Sequence, residues 1–146
     1  MKEAFSTYSK AKGWIVDLRG NGGGGYDQTL HEVLLELPSP LAVIIDAGCM
    51  SAGETMARDL AQQGKAKLFG SKTAGASSAK RIWTFPSGIA SLSVPTRSRW
   101  GIGGKPIEFL GIEPHVNVEA VPEELKRGLN CAILRAEEYI TEIGSS

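Results

Sequence analysis

Two turns in this chain hold residues whose types and spacing can do chemistry. One is a glycine run, Gly20 to Gly25; the other is Ser51, at the start of a helical stretch. A serine there has the N–H of Ala52 beside it, and glycines expose backbone N–H groups that no Cβ shields. A hydroxyl and two backbone donors converging on one point are what acyl transfer needs, since the donors stabilise the developing oxyanion. The plainer reading of Ser51 is an N-cap, because Ser51 and Glu54 stand in the Ser-x-x-Glu relation of a capping box. The glycine run has a rival reading too. Gly20-x-Gly22-x-x-Gly25 follows a strand and opens a helix, and Asp46 ends the next strand where a ribose-binding acid would sit, as in a dinucleotide site. Against that, the first strand ends in Asp17-Leu18-Arg19 rather than small apolar residues. The chain does not continue as alternating strands and helices. No Gly-Lys-Ser/Thr follows, so a phosphate P-loop is not expected.

The elements that must position these turns follow from hydrophobic spacing. Trp14 to Arg19 reads as a strand, and the continuous apolar run Leu41-Ala42-Val43-Ile44-Ile45 as a strand covered on both faces. Leu30, Val33, Leu34 and Leu37 recur at helical spacing within residues 26–37, closed by Pro38 and Pro40. A second helix is expected from Ser51 to about Gln63, and a short one over residues 2–10. Lys67-Leu68-Phe69 is a short strand, residues 81–85 and 90–94 a hairpin, and residues 95–117 an irregular stretch with a short strand near Val116. Residues 123–143 read as one long helix with Leu125, Leu129, Ile133 and Leu134 on one side. Two strand–turn–helix units in a row predict an α/β fold with a mainly parallel sheet, made mixed by the hairpin. No linker is visible, so residues 1–146 are expected to form a single domain.

Composition narrows the function. Sixteen basic and sixteen acidic residues give no net charge, which points away from nucleic acid as the partner. No apolar run is long enough for a membrane span, and residues 1–13 lack the apolar core of a signal peptide. Cys49 and Cys131 lie far apart and form neither a metal-ligand nor a redox pattern; small buried residues are expected.

Four ordered motifs carry a resemblance. Residues 13–24, with Asp17-Leu18-Arg19-Gly20-Asn21 at their centre, are similar to the "DLRGNxGG" segment of the C-terminal-processing (tail-specific) serine peptidases, the S41 type. Ser51-Ala52-Gly53-Glu54 resembles that family's "SAGE" nucleophile turn. Residues 70–75 resemble its "GxxTxG" loop, and Pro106-Ile107-Glu108 followed by Gly111-Ile112-Glu113-Pro114 resembles its "IExxGIxPD" segment. The resemblance implies a ClpP/crotonase-like α/β spiral and hydrolysis of peptide bonds in a peptide or protein substrate, with no cofactor and no metal. It implies Ser51 as nucleophile, with the Ala52 N–H and an N–H of Gly23 or Gly24 as the oxyanion hole. Where the Ser/Lys branch places its lysine base, this chain has Ala76; Lys72 and Lys80 flank the gap, neither on the motif position, and Lys80, about where that branch has a supporting glutamine, is the candidate substitute. The tricorn-like branch uses a histidine and a glutamate instead, and Glu108 matches that glutamate. Neither His31 nor His115 matches the histidine. The family's early strands and any PDZ-like domain have no match in these residues, so an N-terminally incomplete core, in a fragment or a degenerate member, is expected. A non-catalytic peptide- or ligand-binding module on the same fold is the alternative. A homo-oligomer and a periplasmic or secreted location are also compatible with the resemblance.

Overall fold

The computed structural model describes residues 7–8, 10–25, 28–37, 40–119 and 121–144. The helix expected over residues 2–10 lies largely outside them, as does the start of the one expected from residue 26. Strands β1 (Trp14–Asp17), β2 (Leu41–Ile45) and β3 (Ala66–Gly70) pair in parallel, in register Trp14 to Leu41 and Leu41 to Ala66. Between them run helices α1 (Gln28–Glu36) and α2 (Ala52–Gln62). After the antiparallel hairpin β4 (Ala79–Thr84) and β5 (Ser91–Arg97) and a 3-10 turn at Ile102–Gly104, the short strand β6 (Val116–Asn117) adds to β3, also in parallel. Helices α3 (Pro122–Lys126) and α4 (Cys131–Ile143) follow.

Strand β2 decides the architecture. All five of its side chains are buried, so each face must be covered. Leu41, Val43 and Ile45 pack with Leu34 and Leu37 on or beside α1 and with Met56, Ala57 and Leu60 of α2. Ala42 and Ile44 turn the other way, toward Ala132, Ala136 and Ile140 of α4. Each large apolar side chain buried this way contributes about 1.5–3 kcal/mol. Both crossover helices lie on one face, and the strand order β1-β2-β3-β6 advances in one direction. This is the winding of a spiral. A dinucleotide crevice forms where strand order reverses, and the described strands contain no such reversal.

The structure departs from the sequence expectations in two places. The hairpin does not join the parallel sheet; β4 and β5 form a separate two-stranded sheet, leaving the four-stranded sheet wholly parallel among the described residues. Most hairpin side chains are exposed, and the hairpin is not packed into the core. The long C-terminal helix is two helices. Gly128 takes φ 71°, and the Asn130 side chain accepts from the Ile133 N–H at 3.2 Å, starting α4 afresh. Leu125 is consequently exposed rather than part of an apolar stripe.

Candidate active site

The carboxyl ends of β1 and β2 open into the two turns singled out above, and side chains stitch those turns together. The Asp46 Oδ1 accepts from both the Gly20 N–H and the Gly48 N–H, each at 2.9 Å. The Met50 N–H donates to the Asn21 carbonyl at 2.9 Å. Asp46 therefore serves the junction between the turns, a different task from holding a ribose.

Ser51 is the N-cap of α2, with φ 54° and ψ −115°. A non-glycine residue held there costs on the order of 1–3 kcal/mol and persists only where its surroundings enforce it. The enforcement is visible. The Ser51 N–H donates to Glu54 Oε2 at 3.0 Å. Its carbonyl accepts from the Thr55 N–H at 3.0 Å, the Thr55 hydroxyl at 3.2 Å and the Ser77 hydroxyl at 2.9 Å. Ser51 thus sits on a strained strand-to-helix turn, a placement used for nucleophiles elsewhere. Cys49, two residues earlier, is no competitor. Burial pushes its thiol up to about 12, with the charges of Glu54 and Asp46 adding to the effect, so it stays protonated and unreactive.

The glycine run lies directly against this serine. A Cβ built on Gly23, at φ 88°, would come within 2.5 Å of the Ser51 Cβ, so only glycine fits. The Gly23 N–H is already bonded to Asn21 Oδ1 at 2.9 Å. The Gly24 and Ala52 N–H groups donate to no acceptor among the described residues. Gly24, Ser51 and Ala52 line one cavity of about 360 Å³, together with Thr55, Arg58, Asp59 and Arg99.

Glu54 was legible only as a capping residue, yet it does more. It is fully buried. Besides the Ser51 N–H, it accepts from the Thr73 hydroxyl at 2.6 Å, the Gly75 N–H at 2.8 Å and the Ala76 N–H at 3.0 Å. The Thr73 hydroxyl in turn accepts from the Ile112 N–H at 2.8 Å, which fixes its own proton on Glu54. One carboxylate thus ties the Ser51 turn to the 70–75 loop, and Thr73 extends the tie to the 106–114 segment.

Glu108 reaches the site indirectly. Its Oε2 accepts from the Ser77 N–H at 3.1 Å, the Ser78 N–H at 2.9 Å and the Ser78 hydroxyl at 2.6 Å, while Ser77 touches the Ser51 carbonyl. The Ser78 hydroxyl above all, then the two N–H groups and the charge of Lys80, hold its carboxyl below the ordinary carboxylate range against a smaller opposing effect of burial. A depressed pKa stabilises the fold above the unfolded value and the contribution is lost as pH falls through the folded one. Glu108→Gln is accordingly expected to show a smaller drop in urea midpoint between pH 7 and pH 3 than the unaltered chain; an equal drop would mean these contacts add nothing to acid stability. Lys80 is exposed on β4, and neither it nor Glu108 lines the Ser51 cavity. Among the histidines, His31 is buried on α1 and His115 accepts the Leu68 N–H at 2.9 Å; neither lines the cavity. No cluster of His, Cys, Asp or Glu suited to a metal occurs among the described residues.

The chain is similar to known proteins. The model for peptidase family S41 matches residues 29–118. A curated protein of Chlamydia pneumoniae is 32% identical over 104 residues, covering 70% of this chain and 17% of its own length. The tricorn protease superposes with a TM-score of 0.78 at 22% identity over 92% of this chain, and a photosystem II D1 C-terminal processing protease with 0.68 at 22% over 86%. A lipoprotein from Streptococcus agalactiae gives 0.61 at 19% over 88%. The chain spans 15%, 40% and 61% of those three structures respectively.

Proposed function

The chain belongs to peptidase family S41, and on that premise we propose that residues 1–146 form one serine-peptidase core domain in which Ser51 is the nucleophile. In this reading the Ser51 hydroxyl attacks the carbonyl carbon of a peptide bond. The Ala52 and Gly24 N–H groups receive the oxyanion, and the resulting acyl-enzyme is released by water. The observation that carries it is the presence, in the lining of one cavity, of a serine on a strained turn and two residues whose backbone N–H groups donate to no acceptor among the described residues. Gly24 is preferred over Gly23 as the second donor because Asn21 already takes the Gly23 N–H. The substrate is a peptide or protein, as for the C-terminal processing protease among the similar structures. Among the described residues no helix is long and apolar enough to cross a membrane.

The general base is the incomplete part of the site. Glu108 supports the serine loop through Ser77 and Ser78, the place a tricorn-like glutamate would hold, but it does not face the cavity. Lys72 and Lys80 flank that loop, but Lys72 is paired with Glu113 at 3.0 Å, Lys80 is exposed on β4, and neither lines the cavity. A serine without a base is weakly nucleophilic, and an oxyanion hole alone leaves an acceleration of about 10³–10⁴ over water. Peptide turnover by this chain is therefore expected to be small from pH 6 to 10, lowered by Ser51→Ala to what the oxyanion hole alone gives, and unchanged by Lys80→Ala. Robust turnover lost in both variants would make Lys80 the base; turnover indifferent to Ser51→Ala would remove the nucleophile. The second reading, a peptide-binding module without catalysis, is favoured by a cavity lining that holds no histidine or lysine and whose one carboxylate, Asp59, is paired with Arg58.

A further inference from the structure

The balanced net charge hides a segregation. Between Asp59 and Glu108 the chain carries eight lysines and arginines and no acidic residue. Much of that stretch is the β4–β5 hairpin and the segment leading from it to Arg99. Arg81, Arg97 and Arg99 make no ion pair with any carboxylate among the described residues. Arg81 stacks over Trp83 at 5.8 Å instead. The hairpin is also apolar and bare: Ile82 is 68% exposed, Trp83 46% and Leu92 52%. A two-stranded ribbon with most side chains exposed and both outer edges unpaired among the described residues is marginal alone and offers its edges to another extended chain.

This surface is joined to the Ser51 cavity through Arg99. The hairpin begins one residue after Ser78, and Arg99, two residues past its end, lines the cavity beside Ser51. The other arginine there is spent: Arg58 Nε donates to Asp59 at 2.7 Å and Nη1 to the Trp100 carbonyl at 2.8 Å. Arg99 is left as the cavity's unpaired cation.

We propose that the hairpin and Arg99 form a docking surface for an extended peptide segment bearing acidic side chains, with Arg99 pairing the carboxylate nearest Ser51. The position next to Ser51 rests on the peptidase reading; the binding does not. Open strand edges take a polypeptide by backbone hydrogen bonds, a mode that a nucleic acid lacks, while the cations select for carboxylates and Trp83 and Ile82 for the apolar residues between them. A second copy of the chain would set one basic hairpin against another and is disfavoured on charge.

The test measures binding to the full chain carrying Ser51→Ala, by anisotropy of fluorescein-labelled octapeptides with amidated C-termini and alternate glutamates, or glutamines in their place. The glutamate peptide is expected to bind at least about tenfold tighter at low salt, with the gap closing in high salt because exposed charges are screened. Combined Arg81→Glu, Arg97→Glu and Arg99→Glu should reverse the preference toward a matching lysine peptide. Equal binding of the glutamate and glutamine peptides would overturn the proposal. So would a glutamine peptide with a free C-terminal carboxylate matching the glutamate peptide, or a single-stranded oligonucleotide outcompeting it. Loss of the peptidase reading would leave all these readings intact, since none depends on turnover.

Discussion

Glu54→Ala is expected to lower the stability of the chain by more than about 3 kcal/mol, a fall of roughly 10 °C in melting temperature for a domain of this size. The carboxylate is fully buried and all four of its partners are donors: the Ser51, Gly75 and Ala76 N–H groups and the Thr73 hydroxyl. Truncation leaves the buried Thr73 and Gly75 donors and the part-buried Ser51 and Ala76 donors without this acceptor, and each buried orphan costs about 1–3 kcal/mol before relaxation. Glu54→Gln should fall between the two, since its amide carbonyl can still accept but its NH₂ must face one or more of the same donors. The second consequence is local. Ser51 holds a φ of 54° that its own chemistry disfavours, and the Glu54 contact on its N–H is one of the forces keeping it there. Denaturant midpoints of the two variants decide the matter. A loss under about 1 kcal/mol for Glu54→Ala would mean that water replaces the carboxylate and that the clamp does not exist.

Much of the fold was open to reading from apolar spacing. Strand β2 matches the run Leu41 to Ile45 because a sequence buried on both faces is continuous rather than alternating. The positions of the two chemically suggestive turns followed, since a parallel sheet puts successive strand ends together. The hairpin's separation from the sheet was not legible. Its alternation fits any half-buried strand, and which sheet it pairs with depends on distant neighbours. The break before α4 had its signals in Gly128 and Asn130, but the flanking leucines at helical spacing argued for continuity and outweighed them. The clamp made by Glu54 was hidden because its partners, Thr73, Gly75 and Ala76, lie about twenty residues away. Ser-x-x-Glu reads locally as a cap whether or not the carboxylate has a second task. Free and occupied donors are likewise invisible in a row of four glycines; only the Asn21 side chain on the Gly23 N–H separates Gly23 from Gly24.

The claim on which the account turns is that Ser51 and its two neighbouring N–H groups form a working acyl-transfer site, and covalent capture tests it without needing turnover. A fluorophosphonate reacts when the serine oxygen attacks phosphorus and fluoride departs, leaving the phosphonyl oxygen where the oxyanion would sit. The proposed site would supply that geometry, since the Ala52 and Gly24 N–H groups donate to no acceptor among the described residues, and raising the pH to about 9 compensates in part for a weakly activated serine. Intact-mass and peptide mapping of the folded chain should therefore give a single adduct, located on Ser51. It should be absent from Ser51→Ala and lost when the chain is unfolded in urea before labelling. Labelling that is unchanged in Ser51→Ala, or spread over other serines with Ser51 unmodified, would contradict the assignment of this turn as the catalytic centre.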